Sequence, residues 1–108
     1  MPRVVDDQLL KEVARRILTV VQPDRIILFG SAASGNFSDE SDLDILVLER
    51  KPGNTRRERV RISDALLGLG YSCDVFVMGT EAFEESKTVI GGLAFPANKY
   101  GRVIYEAA

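Results

Sequence analysis

Apolar residues recur at Leu10, Val13, Ile17 and Val20, the spacing of one buried helix face. The pattern predicts a helix from Asp6 to about Val21, with Asp6 or Asp7 capping its start and Pro23 stopping it. The pattern then changes. Arg25 to Phe29 (RIILF) is a short apolar run that reads as a buried strand, and Gly30, Ser31 and Gly35 come directly after it. The intervening SAAS is long enough for one helical turn. Leu43 to Leu48 (LDILVL) predicts a second strand and KPGNT a turn. Asn54 or Thr55 can cap a helix to about Leu69, with Ile62, Leu66 and Leu69 on its core face and Gly68 and Gly70 ending it. Ser72 to Met78 (SCDVFVM) predicts a third strand. TEAFEESK opens another helix with Thr80 as its cap. Gly91, Gly92 and Pro96 interrupt the next stretch of chain, and GRVIYE ends as a short strand or extended tail.

Strands alternating with helices give an α/β (α+β) class. About a dozen residues separate the first two strands, too few for a full parallel crossover helix. A small mixed sheet flanked by helices is therefore expected, rather than a purely parallel one. No repeat, low-complexity segment or linker divides the chain, so its 108 residues read as a single domain spanning 1–108.

Composition narrows the chemistry. At 45% hydrophobic residues the chain should fold. No apolar run approaches the length of a membrane span. MPRVVDDQLLKE turns acidic before a signal core could form, so the expected location is cytoplasmic. A net charge of -2 argues against broad nucleic-acid binding. The absence of histidine removes histidine bases, Ser-His-Asp triads and histidine metal ligands together. Cys73 is the sole cysteine, which excludes an internal disulfide and cysteine-rich zinc sites; it reads as an inert strand residue. Chemistry must rest on carboxylates, hydroxyls, lysine, arginine or a bound metal.

Three features carry such chemistry. Gly30 and Ser31 make a sharp turn after a strand, where glycine admits close approach of a ligand and backbone N–H groups face outward, a plausible phosphate cradle. Asp42 and Asp44 are two residues apart at the start of a strand, on one face, and supply hard oxygen ligands of the kind Mg²⁺ takes. Asp74 is the odd carboxylate in an apolar strand and needs a partner if buried. Each has a plainer reading when taken alone: an ordinary turn, a solvated strand edge, and a capping or edge-exposed acid. Their order is more specific than any one of them.

LFGSAASGNFSDESDLDILV together with the later CDVFV resembles the DNA polymerase beta-like nucleotidyltransferase superfamily, and most closely its minimal nucleotidyltransferases. The pattern G-S-x-x-x-G, S-D-x-D and a distal D is matched by Gly30, Ser31, Gly35, Ser41, Asp42, Asp44 and Asp74. The resemblance implies an enzyme of EC 2.7.7 type that moves a nucleoside monophosphate, AMP from ATP, to a hydroxyl and releases pyrophosphate. It implies that Gly30, Ser31, Gly35 and Ser41 hold the nucleotide. It also implies that Asp42, Asp44 and Asp74 hold Mg²⁺, two ions in all, with Asp74 helping to deprotonate the acceptor. By the same resemblance, the partner is a HEPN-domain toxin, the acceptor one of its tyrosines, and the chain an antitoxin. One departure stands out. Similar chains often carry arginines between the two glycines, where this one has Ala32, Ala33 and Ser34.

Two other readings remain open. One is a weakly active or inactive module that binds nucleotide or masks a toxin. The other is a small-molecule, antibiotic-type nucleotidyltransferase completed by a partner chain. Arg56, Arg57, Arg59 and Arg61 crowd a helix start, where cations oppose the helix dipole; a solvated face is the plainer explanation, and a partner, RNA or phosphate the alternative. Tyr100 and Tyr105 are expected to pack on the core rather than stack on a base.

Overall fold

The computed structural model describes residues 5–35 and 41–108. The chain start and the stretch 36–40, inside the glycine- and aspartate-bearing motif, lie outside the described residues. Among the described residues the elements run in the order α1 (Asp7–Leu18), β1 (Arg25–Phe29), α2 (Ser31–Ser34), β2 (Leu43–Glu49), α3 (Thr55–Ala65), β3 (Cys73–Gly79), α4 (Thr80–Ser86), α5 (Ala94–Tyr100) and β4 (Arg102–Glu106).

The strands form one sheet in the order β3-β2-β1-β4. The sheet is mixed, as the short first connection requires. β1 runs antiparallel to β2 and to β4, with an irregularity between Ile26 and Ile27 on the β4 side. β2 and β3 are parallel because α3 provides the crossover between them. The terminal GRVIYE segment resolves into an edge strand rather than a loose tail.

Alternation along the strands divides the core in two. Ile45 and Val47 of β2 point to one face, where Leu10, Val13 and Ile17 of α1, Ile62 of α3 and Leu66 just after it cover them. Leu46 and Leu48 point to the other, with Ile27 and Phe29 of β1, and there Phe83, Ala94 and Ala97 of α4 and α5 form the cover. Full burial of a side chain of this size contributes about 1.5–3 kcal/mol, which makes these two layers the main source of stability.

Local signals set most boundaries. Asp6 caps α1, its Oδ1 accepting from the Leu9 N–H at 2.9 Å. Asn54, not Thr55, caps α3, accepting from the Arg57 N–H at 3.0 Å. That helix ends at Ala65, earlier than expected. The turn after it is tied to α1 by Arg16, which donates to the Leu67 carbonyl at 2.8 Å. Thr80 does not cap α4. Gly79 occupies the cap position, and the Thr80 hydroxyl instead donates to Asp24 Oδ2 at 2.6 Å, linking α4 to the start of β1. Pro96 does not interrupt α5 but lies in its first turn, where its missing N–H costs nothing. No helix among the described residues is long and apolar enough to cross a membrane.

Candidate active site

The sequence places a polar turn directly after the most apolar strand, and the backbone shows why it is glycine. Gly30 has φ 71° and ψ -153°, a region essentially closed to other residues. A Cβ there would run into the carboxylate of Asp44. One residue thus allows both the reversal out of β1 and the close approach of an acidic side chain. Gly35 ends α2 in the left-handed conformation at φ 86°. Between them, Ala32 and Ala33 pack against the core cluster under α1 and α3. Both side chains are partly buried there.

Pairing brings the acids together. Asp44 is opposite Phe29 on β1 and in register with Asp74 on β3. Neighbouring strands lie about 4.8 Å apart, so the two carboxylates are close neighbours on the second sheet face. Asp42 immediately precedes β2 and is exposed; the Leu43 N–H that comes next donates to the Ser72 carbonyl at 2.8 Å, anchoring this end of the strand beside β3. Burial raises the Asp44 carboxyl above the ordinary range, and the charges of Asp74 and Asp42 push it further in the same direction. Ser41 is half-buried beside this group, and Ser31 opens α2.

Asp74 also meets a cation. Arg59 Nη2 of α3 lies 3.9 Å from Asp74 Oδ1, and the same guanidinium lies 5.5 Å from the Phe76 ring centre. Phe76 in turn contacts Phe29, with ring centres 5.8 Å apart. The acids therefore stand at the exposed end of a face whose floor is aromatic.

Among the described residues, no group of three His, Cys, Asp or Glu side chains is placed as a ready metal cage. The donor chemistry nevertheless suits a hard divalent cation. All three groups are carboxylates, and two of them raise the proton affinity of the third. A bound cation would turn that repulsion into attraction.

The fold brings Gly30, Asp44 and Asp74 together with Asp42 near the start of β2, while Ser31 and Gly35 stand at the two ends of α2. A second carboxyl pair lies outside the sequence motif. Glu49, at the far end of β2, is only 9% exposed and hydrogen-bonds Glu58 of α3, and its carboxyl is pushed up to about 7, chiefly by burial. The signal was an acid closing an apolar run. Cys73 is half-buried and burial pushes its thiol up to about 11, in keeping with an inert role. Tyr105 packs on the core under α1 as expected, whereas Tyr100 is 60% exposed, with Lys99 above its ring at 5.3 Å.

Comparison with known proteins agrees with this geometry. The model of the family described as nucleotidyltransferase domain matches residues 7–95. A Methanocaldococcus jannaschii protein, provisionally named a protein adenylyltransferase, is 41% identical over 46 residues; these are 41% of this chain and 46% of that relative, so the match spans less than half of its length. Among solved structures, a provisionally named nucleotidyltransferase from Sulfolobus solfataricus superposes with a TM-score of 0.61 at 21% identity, over 93% of this chain and 79% of that one. A toxin–antitoxin structure with AMP-PNP gives 0.69 at 20% identity, over 91% and 73%. The complex of tri-AMPylated Shewanella oneidensis HEPN toxin with MNT antitoxin gives 0.64 at 18% identity, over 94% and 74%. At such identities the structural likeness speaks for the fold.

Proposed function

The chain belongs to the nucleotidyltransferase domain family, and from that premise we propose that it transfers AMP from ATP to a hydroxyl, that of a tyrosine on a HEPN-domain partner. The carrying observation is the register of Asp44 with Asp74, beside a Gly30 that only glycine can occupy. Two kinds of relative favour this choice of donor and acceptor: one named for protein adenylyl transfer, the others solved with an ATP analogue or as an AMPylated toxin with its antitoxin.

In this reading the Gly30–Ser31 turn binds the triphosphate through backbone N–H groups and a hydroxyl, with Gly35 and Ser41 completing the nucleotide site. Asp42, Asp44 and Asp74 would hold Mg²⁺. When bound, the ion neutralises phosphate charge and acidifies the acceptor hydroxyl. Asp74, on the outer strand, faces the acceptor and receives its proton. The acceptor oxygen forms a bond to the α-phosphorus as the bond to pyrophosphate breaks. The work of the protein is positioning and charge compensation, which is the main demand of phosphoryl-type transfer.

The test is incubation with α-labelled ATP, MgCl₂ and the protein encoded by the neighbouring gene, examined for a HEPN domain and for label on its tyrosines. Label on a partner tyrosine, absent with Asp44→Ala, is expected. Tight partner binding with no label would support a masking module instead. Label on an aminoglycoside without a partner would support the small-molecule reading.

A further inference from the structure

The arginines that oppose the α3 dipole have a use that the proposed transfer reaction does not itself assign. Arg56 and Arg59 are three residues apart and neighbours on one helix face. With Thr55, Phe76, Val77 and Leu93 they line a cleft of about 310 Å³ along the outer edge of β3. Arg59 Nη2 also lies 3.9 Å from Asp74 Oδ1, a carboxylate next to the cleft lining. Arg56 makes no ion pair among the described residues. Asp74, the acid assigned to the acceptor, precedes Phe76 of this lining by two residues on β3.

Resting on the proposed transfer to a tyrosine, the geometry points to this cleft as the docking site for an acidic acceptor segment: a tyrosine flanked by glutamate or aspartate on a partner protein. Phe76 and Asp74 are two residues apart on one strand face, a separation of about 6–7 Å. An aromatic ring laid on Phe76 with its hydroxyl toward Asp74 spans that distance. Arg59 lies over Phe76 and within ion-pair distance of Asp74 in the free protein, so it shifts aside as the ring enters. A carboxylate of the acceptor offers it an equivalent partner, and the exchange frees Asp74 for its own role. Charge complementarity decides the occupant. Two arginines at the rim attract carboxylates, and the lack of excess positive charge on the chain disfavours a nucleic-acid strand beside three aspartates.

The experiment measures fluorescence anisotropy of three labelled peptides, each with one tyrosine, flanked by glutamates, glutamines or lysines. The glutamate peptide should bind about tenfold tighter than the glutamine peptide, with the difference shrinking as salt rises. Arg56→Ala/Arg59→Ala should erase the preference, and Arg56→Glu/Arg59→Glu should shift it to the lysine peptide. Both arginines project from the protein surface, and a thermal melt of each variant checks that the fold is kept. Equal binding of all three peptides by the native chain would overturn the inference, as would stronger competition from a single-stranded RNA than from the glutamate peptide. Labelling by ATP separates the two proposals. Arginine-dependent binding without transfer to any tyrosine keeps the docking site and defeats the reaction. Transfer indifferent to flanking charge keeps the reaction and defeats the docking site.

Discussion

At the N-terminal end of β2, Asp44 is half-buried with Asp74 in register beside it and Asp42 close by. Seven-residue β2 ends at Glu49, buried against Glu58 of α3. Both ends of one strand thus set like charges side by side, and both raise a carboxyl above its ordinary range. The surroundings differ. Glu49 and Glu58 each keep an oxygen, Oε2, that is buried without a hydrogen-bond partner, and a proton held between the two carboxyls relieves the repulsion. The aspartates stand at an open end, with a side-chain exposure of 47% at Asp74 and, among the described residues, an arginine paired with only that one. A proton resolves the buried pair below about pH 7. The open group has no such resolution of its own, and the proposed reaction would give it one as the counter-charge of a metal bound with phosphates.

Removing a member of the open group should have the largest effect. Asp44→Ala should lower transfer by at least about 10³-fold, the scale of losing a preorganised electrostatic contact at a reacting centre. The fold should keep its stability or gain up to about 1 kcal/mol, because a partly buried, repelled carboxylate is lost. A melt several degrees below that of the native chain would break the contrast and make Asp44 a residue the fold depends on.

Gly30→Ala tests the same end from the backbone side. The new Cβ meets the Asp44 carboxylate in a conformation that alanine disfavours. Stability should fall by about 1–3 kcal/mol and transfer by about 10²-fold, since a displacement of about 1 Å at such a centre is enough. Denaturant titration and labelling measure the two losses. A fully active Gly30→Ala would mean that Asp44 need not sit against the turn.

Most of the open site could be read in the sequence because its parts are local in character. A glycine after an apolar strand, an acid pair two residues apart and an acid within RIILF-like runs each leave a mark on the hydropathy pattern. The strand limits of β1 were legible to the residue for the same reason. The buried pair was not legible. Glu49 extends β2 one residue beyond its apolar run, and Glu58 looks like an ordinary first-turn acid of a helix. Only the crossover packing of α3 brings them together, and no spacing encodes that. Arg59 is similar: its cluster is visible in the sequence, but its reach to Asp74 depends on where the helix lands. Thr80 had a strong capping signature, yet the tertiary bond to Asp24 took its hydroxyl.

A smaller effect distinguishes the buried pair. Glu49 binds its proton more tightly in the folded chain, about 7 against the usual 4.5. Its favourable contribution is complete below pH 4.5 and is lost as the pH rises through 7. This loss amounts to roughly 2 kcal/mol by pH 8, allowing for sharing with Glu58. Glu49→Gln carries no charge to bury and should flatten that part of the profile. Denaturant midpoints at pH 5 should nearly coincide for the two chains, while at pH 8 the variant should be the more stable. A native stability that rises from pH 5 to pH 8 by way of Glu49 would show that the pair is ionised after all, and the contrast between the two ends of β2 would fail.

The finest test asks whether the aspartates act as a group. Burial is the first cause of the raised Asp44 carboxyl, Asp74 the second and Asp42 the third. Asp42→Asn should therefore lower the Asp44 titration only slightly, and Asp74→Asn should lower it more. Carbon-detected NMR of the side-chain carboxyls reads this directly, without nucleotide or metal. Adding Mg²⁺ to the native chain should move the same resonance further than either substitution, since a cation opposes both neighbours and the burial cost at once. If neither variant moves Asp44, the three acids are independent surface groups and the end of β2 is only a strand edge. If both move it in the stated order, the repulsion belongs to the group, and a counter-charge shared by all three is the simplest way the fold can use it.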